Sequence, residues 1–177
     1  MCSSDLGCPG SFIRAYVDAS YAVHIDGKSH SGVVVTVGDA GTVHVGSKKQ
    51  KLVAKSSTEA ELIALGDELS PILFANHFIQ AQGYSDTPAI VFQDNQSTIA
   101  LAEKGRSTSA RPRHISIRYF FVKDNIDRRE IEIKYKPTED MLADFFTKPL
   151  QGDLFKRLRD FIMNGTSPPA VNSLSDV

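Results

Sequence analysis

Lys55-Ser-Ser-Thr-Glu-Ala-Glu-Leu-Ile-Ala-Leu65 is the stretch from which the fold can be worked outward. Ser56, Ser57 or Thr58 offers a side-chain oxygen to the free N–H groups of a first helical turn. Glu59 and Glu61 then sit near the positive end of the helix dipole. Stepping about 100° per residue from Leu65 separates the two glutamates. Glu61 falls at roughly −40°, inside the apolar stripe of Leu65, Leu69, Ile72 and Leu73, and Glu59 falls at roughly 120°, outside it. A carboxylate on a buried face has to be paired, protonated or bound to a metal, because desolvating it alone costs too much. Glu61 is therefore the acid that needs an explanation.

The helix that begins here is predicted to run over residues 57–82 and to stop at Gly83, with a kink or break near Ser70 caused by Pro71. Upstream, residues 12–19 alternate and are rich in Ile, Tyr and Val, which predicts a strand with Asp18 at its end. Residues 31–37, Ser-Gly-Val-Val-Val-Thr-Val, read as a central strand buried on both faces. Asp39-Ala-Gly41 makes a turn into a return strand over 42–46, an antiparallel hairpin. Downstream, 89–93 is a short strand ending before Asp94, and 95–104 a helix. Residues 105–113 form a Ser/Arg/Pro loop. A helix over 114–126 puts Ile115, Tyr119, Val122 and Ile126 on one face. A half-exposed strand covers 130–136, with helices over 138–147 and 153–163. This order predicts an α/β domain: a mixed five-stranded sheet, hairpin-led and then parallel, flanked by helices.

A chain of 177 residues with 41% hydrophobic content is expected to form one domain with a real core, here residues 12–163. Residues 1–11 read as a leader, non-native or disordered, and 164–177 as a disordered tail. No run approaches the roughly 20 apolar residues of a membrane span. Residues 1–10 lack the apolar core of a secretory signal, so an intracellular setting is expected. Both cysteines, Cys2 and Cys8, fall in the leader, which supports neither a disulfide framework nor a cysteine metal site. Nothing points to an obligate oligomer.

The net charge is −1, but it is unevenly spread. Residues 104–129 carry eight Lys or Arg against two acids, and residues 48–55 carry four Lys and none, so the remainder holds −11. Segregation of this kind suits one phosphate-facing surface and a separate acidic site, although either run alone is more often a solvated face.

Four acids hold unusual positions: Asp18 and Asp94 at strand ends, Glu61 on a buried helix face, and Asp144 among Met141, Leu142, Phe145 and Phe146. Each alone has an ordinary reading, and Asp94 could simply cap the next helix. Together they could not all be ionised at close range without a counter-charge. Hard oxygen donors without His or Cys favour Mg²⁺, with Mn²⁺ able to substitute, and a pair of such ions serves phosphodiester hydrolysis.

The segments Tyr16-Val-Asp-Ala-Ser20, Lys48-Lys-Gln50, Ser56-Ser-Thr-Glu-Ala-Glu61, Asp94-Asn-Gln-Ser97, Arg113-His-Ile-Ser-Ile-Arg-Tyr119 and Thr138-Glu-Asp-Met-Leu-Ala-Asp-Phe-Phe-Thr-Lys-Pro-Leu150 occur in order across residues 12–163. As a set they resemble the ribonuclease H domain at the end of Ty1/copia-type retrotransposon polyproteins. The resemblance implies a ribonuclease H-like fold and Mg²⁺-dependent cleavage of the RNA strand of RNA–DNA hybrids, leaving 3′-hydroxyl and 5′-phosphate ends. It assigns the catalytic, metal-holding acids to Asp18, Glu61, Asp94 and Asp144, and it implies an upstream polymerase domain in the same precursor. Ser20, Asn95, Gln96 and Ser97 adjoin these acids and are candidates for reading 2′-hydroxyls. Arg111, Arg113, Arg118, Lys123, Arg128 and Arg129 are candidates for holding phosphates.

Cellular members often carry a mobile histidine in the loop before the last aspartate. Here Lys136-Pro-Thr-Glu-Asp140 has none, which leaves the group assisting product release open. His114 lies in a family motif and is read as structural, and His24, His30, His44 and His77 lack metal-ligand spacing. Three other readings compete. An integrase-like enzyme is suggested by the 35 residues between Asp94 and Glu130. The others are a non-catalytic module that binds nucleic acid or scaffolds a polymerase, and a domain whose acids only form salt bridges.

Overall fold

The computed structural model describes residues 12–38, 41–84, 86–104 and 113–164, with the backbone alone at 113–115 and 164. Five strands, β1 (Ile13–Ser20), β2 (His30–Val37), β3 (Thr42–Lys49), β4 (Ala89–Gln93) and β5 (Ile131–Tyr135), form one sheet in the order β3-β2-β1-β4-β5. The first three are antiparallel, and β4 and β5 run parallel to β1. The helices are α1 (Ser57–Ala81), α2 (Gln96–Lys104), α3 (Arg113–Asp127), α4 (Asp144–Thr147) and α5 (Gly152–Asn164), with a 3-10 turn at Thr138–Asp140. The predicted hairpin-led sheet that turns parallel is the sheet observed.

Strand alternation splits the core into two layers. Ile13, Ala15, Val17 and Ala19 of β1 face Leu62, Leu65 and Leu69 of α1 and Val122 of α3. Tyr16 of β1 and Val34 of β2 face Met141, Leu142, Leu158 and Phe161. As its Val-rich sequence predicts, β2 is buried on both faces, whereas β5 alternates buried Ile131 and Ile133 with exposed Glu132 and Lys134.

Ser56 caps α1, its hydroxyl accepting from the Glu59 N–H at 3.2 Å, and the Glu59 carboxylate reaches back to the Lys55 N–H. Gly83, at φ +76°, provides the left-handed residue that ends the helix. Of the kink or break expected near Ser70, the break does not occur: α1 is a single helix of 25 residues containing Pro71. A proline inside a helix costs about 3 kcal/mol. Leu62, Ile63, Leu65, Leu69 and Ile72 are all at most 1% exposed. Burying each contributes about 1.5–3 kcal/mol, more than enough to hold the helix through the lost bond.

Two other expectations are corrected. β3 extends to Lys49, past the predicted end at Gly46, because its pairing with β2 continues to His30↔Lys49. The Lys48 ammonium there meets Glu68 at 2.6 Å and Lys49 meets Asp26 at 2.9 Å, so part of the lysine run is neutralised on the sheet. The helix expected over 138–147 is broken into the 3-10 turn and α4, because Met141 is extended and Met141, Leu142 and Ala143 are buried against the sheet. Asp39 of the hairpin turn, the loop at 105–112, the leader and residues 165–177 lie outside the described residues. Asn164, assigned to the tail, closes α5.

Candidate active site

Register brings the first two acids together. β1 and β4 run parallel with Tyr16 opposite Phe92, so Asp18 and Asp94 lie two steps further along, at the same end of the sheet. Asp18 points to the Tyr16 face. Glu61 arrives from α1 on the other face and accepts from Gln93 Nε2 at 3.1 Å and from the Ala19 N–H. One carboxylate oxygen from each of Asp18, Glu61 and Asp94 lies within 4.8 Å of the others. Asp18 is 2% and Glu61 5% exposed, while Asp94 opens to solvent. Burial, and then repulsion by Asp18 and Asp94, holds the Glu61 carboxyl well above the ordinary carboxylate range. An all-oxygen set in which buried Glu61 resists ionisation fits a divalent cation, which would supply the missing counter-charge.

Asp144 approaches from the second layer. Its Oδ1 accepts from Lys148 Nζ at 2.8 Å, and the same ammonium lies 3.8 Å from Asp18 Oδ2. Burial, together with the Asp18 and Asp94 charges and against the hydrogen bond from Lys148, pushes the Asp144 carboxyl up to about 7. Burial alone would lower the Lys148 ammonium, but its bond to Asp144 and the neighbouring carboxylates outweigh that and raise it. Asp144 is not among the three acids that share the 4.8 Å cluster; Lys148 binds it instead.

Sequence determines how α4 reaches this point. Gly32 of β2 pairs directly with Asp18. A Cβ at Gly32 would lie 2.7 Å from Thr147 Cγ2 and 2.8 Å from the Ala143 carbonyl, so only glycine lets α4 lie on the sheet here. Thr147 then donates its hydroxyl to Asp18 Oδ2. Ser20 Oγ donates to the Thr147 carbonyl at 2.7 Å. On the other side, Thr138 of the 3-10 turn donates to Asp94 Oδ2 at 2.9 Å.

No family model matches the chain. It is 31% identical over 151 residues, 85% of its length, to the retrovirus-related Pol polyprotein from transposon TNT 1-94 of Nicotiana tabacum. It is 27% identical over 151 residues, again 85% of its length, to the transposon Ty1-DR5 Gag-Pol polyprotein of Saccharomyces cerevisiae. The chain spans only 11% and 8% of the length of these two polyproteins. Its fold matches LC11-RNase H1, isolated from compost by a metagenomic approach, with a TM-score of 0.58 and 17% identity, covering 76% of this chain and 91% of that one. For the crystal structure of LC11-RNase H1 in complex with RNA/DNA hybrid the TM-score is 0.54 at 18% identity, covering 76% and 92%. The chain is a ribonuclease H-fold domain of the Ty1/copia Pol polyprotein family.

Within this Ty1/copia ribonuclease H-fold domain, the other candidate residues divide. Asn95, Gln96 and Ser97 line an open cleft together with Asp18, Glu61, Asp94 and Lys148. Asn95 also caps α2, its Oδ1 accepting from the Ser97 and Thr98 N–H groups at 3.0 and 3.2 Å. Ser20 lines the second layer and is bound to Thr147. Arg118 pairs with Asp67 at 2.7 Å and packs over Gly66, while Lys123 pairs with Asp127 and Arg128 with Asp124. Arg111 lies outside the described residues, as do the side chains of Arg113 and His114. Glu130, the integrase-spaced acid, binds His77 at 2.9 Å, and its carbonyl accepts from the Ala89 N–H at the start of β4. Asp94 follows the end of that strand, roughly 16 Å away at 3.3 Å per residue, so the two do not share a site.

Thr147, Lys148, Gln93 and Thr138 touch the acids without having been singled out in the sequence. The signal for two of them was present: Thr147 and Lys148 follow Asp144 at positions i+3 and i+4, which share a helix face.

Proposed function

We propose that this domain hydrolyses the RNA strand of RNA–DNA hybrids, as the ribonuclease H part of a retrotransposon polyprotein that also carries a polymerase domain. The single observation that carries the reading is the convergence of Asp18, Glu61 and Asp94 at the end of the sheet to which β1 and β4 deliver them. Membership of the Pol family and the shared fold support it, as does the RNA/DNA hybrid bound by LC11-RNase H1.

Asp18, Glu61 and Asp94 would hold one divalent ion, and Asp18 with Asp144 a second. When bound, Mg²⁺ supplies an activated water and charge stabilisation for the departing 3′ oxygen. Everything else falls to the protein. Gln93 and the Ala19 N–H orient the Glu61 carboxylate. Thr147 and Thr138 each donate to one oxygen of Asp18 and Asp94, which fixes how those carboxylates are turned. The open side of the cleft admits a duplex, and Gln96 and Ser97 on its rim meet the minor groove, where 2′-hydroxyls mark the RNA strand.

Substrate selectivity tests this reading. The full chain in Mg²⁺ is expected to cut the RNA strand of a labelled hybrid and to leave RNA–RNA and DNA–DNA duplexes intact. Binding of hybrid without cleavage in either Mg²⁺ or Mn²⁺ would instead establish a non-catalytic nucleic-acid module.

A further inference from the structure

We propose that Lys148 is a built-in cation that holds the place of the second divalent ion and sets how readily that ion enters. The inference rests on the ribonuclease reading and adds a regulator of metal loading to the same site. Three observations carry it. The Lys148 ammonium is 2.8 Å from Asp144 and 3.8 Å from Asp18, bridging the two carboxylates that a second ion would have to join. Asp144 stands apart from the three acids whose oxygens cluster within 4.8 Å, so a first ion can bind while Lys148 stays in place. The backbone at Lys148 is pinned, its N–H donating to the Asp144 carbonyl at 2.9 Å and its carbonyl accepting from the Leu150 N–H at 2.9 Å. Only the side chain can move, and at 34% exposure it has solvent to move into.

The two ions should therefore differ. The first meets three carboxylates, of which Lys148 approaches only Asp18, at the longer distance of 3.8 Å. The second must displace an ammonium from two of its ligands, so it binds more weakly. This arrangement also keeps Asp18 and Asp144 apart and charge-compensated while a single ion is bound, without closing the cleft to substrate.

The test is a Mn²⁺ titration of the full chain at pH 8, with free Mn²⁺ read by electron paramagnetic resonance, for wild type, Lys148→Met and Lys148→Arg. Hybrid cleavage and melting in EDTA are measured alongside. Wild type is expected to bind two ions in separate steps. Lys148→Met should tighten the second step about tenfold or more and the first by clearly less, since removing one unit charge at about 4 Å is worth at least that factor and the ammonium contacts both ligands of the second ion but only Asp18 of the first. Lys148→Arg keeps the charge and should leave the second step no tighter than in wild type. Equal second steps in wild type and Lys148→Met overturn the proposal even if hybrid is cut. If melting shows that Lys148→Met does not fold, a tighter second ion in Lys148→Arg overturns it. Failure of wild type to bind ions or cut hybrid overturns the ribonuclease reading instead.

Discussion

Glu61 shows how a single residue can be costly to the fold while sitting at the centre of an acid cluster. Its carboxyl is buried, faces Asp18 and Asp94, and is held well above the ordinary carboxylate range. In the metal-free protein, Glu61→Gln removes that repulsion and keeps an acceptor for Gln93, so it should stabilise the fold by on the order of 1–2 kcal/mol in urea melts with EDTA. The same variant should lose most of the extra stability that Mg²⁺ gives wild type. A pH dependence follows from Glu61 and Asp144 together. A carboxyl raised in the folded state binds more protons folded than unfolded, so stability falls as pH rises from about 4 through the raised value. For Asp144 that value is about 7. Urea midpoints in EDTA should therefore drop between pH 5 and pH 8, and saturating Mg²⁺ should flatten the slope. At this scale Glu61 was legible, because a helical angle placed it on the buried face. Thr147 was not given a role, because its partner Asp18 reaches it only after α4 docks on β2, whereas the Asp144–Lys148 pair at i and i+4 was there to be read.

Between elements, the decisive contact is α4 on the sheet at Gly32. Gly32→Val would force β2 and α4 apart, since even a Cβ meets the Ala143 backbone at 2.8 Å. The expected cost is about 1–3 kcal/mol in urea melts, with a loss of hybrid cleavage larger than the stability loss accounts for, because Thr147 leaves Asp18. If activity per folded molecule is unchanged, α4 does not position the site. Arg118→Ala, which removes the ion pair with Asp67 and the packing over Gly66, should cost roughly 1 kcal/mol in the same assay. The order of strands and helices along the chain could be read from periodicity and turn residues. The break offered at Pro71 does not occur because the helix is buried along its first half, and the 138–147 segment misled because burial of Met141 and Leu142 overrode helical continuity.

At the scale of the whole molecule, the charge pattern needs the structure to be read. The sequence suggests a basic surface opposite an acidic site, yet Lys48, Lys49, Arg118, Lys123 and Arg128 all have carboxylate partners. The acid site, by contrast, keeps its like charges together at one end of the sheet, where only Lys148 offsets them among the described residues lining the cleft. Carboxylates held in mutual repulsion at the end of the sheet are what the proposed binding of cations there requires. The most direct test compares wild type with Asp94→Asn on one labelled RNA–DNA hybrid in Mg²⁺, with both proteins matched for folding. Cleavage of the RNA strand by wild type that falls at least about a hundredfold in the variant is the predicted result. Cleavage at the same rate by both proteins would contradict the account, because it would place the chemistry away from the acids at the end of the sheet.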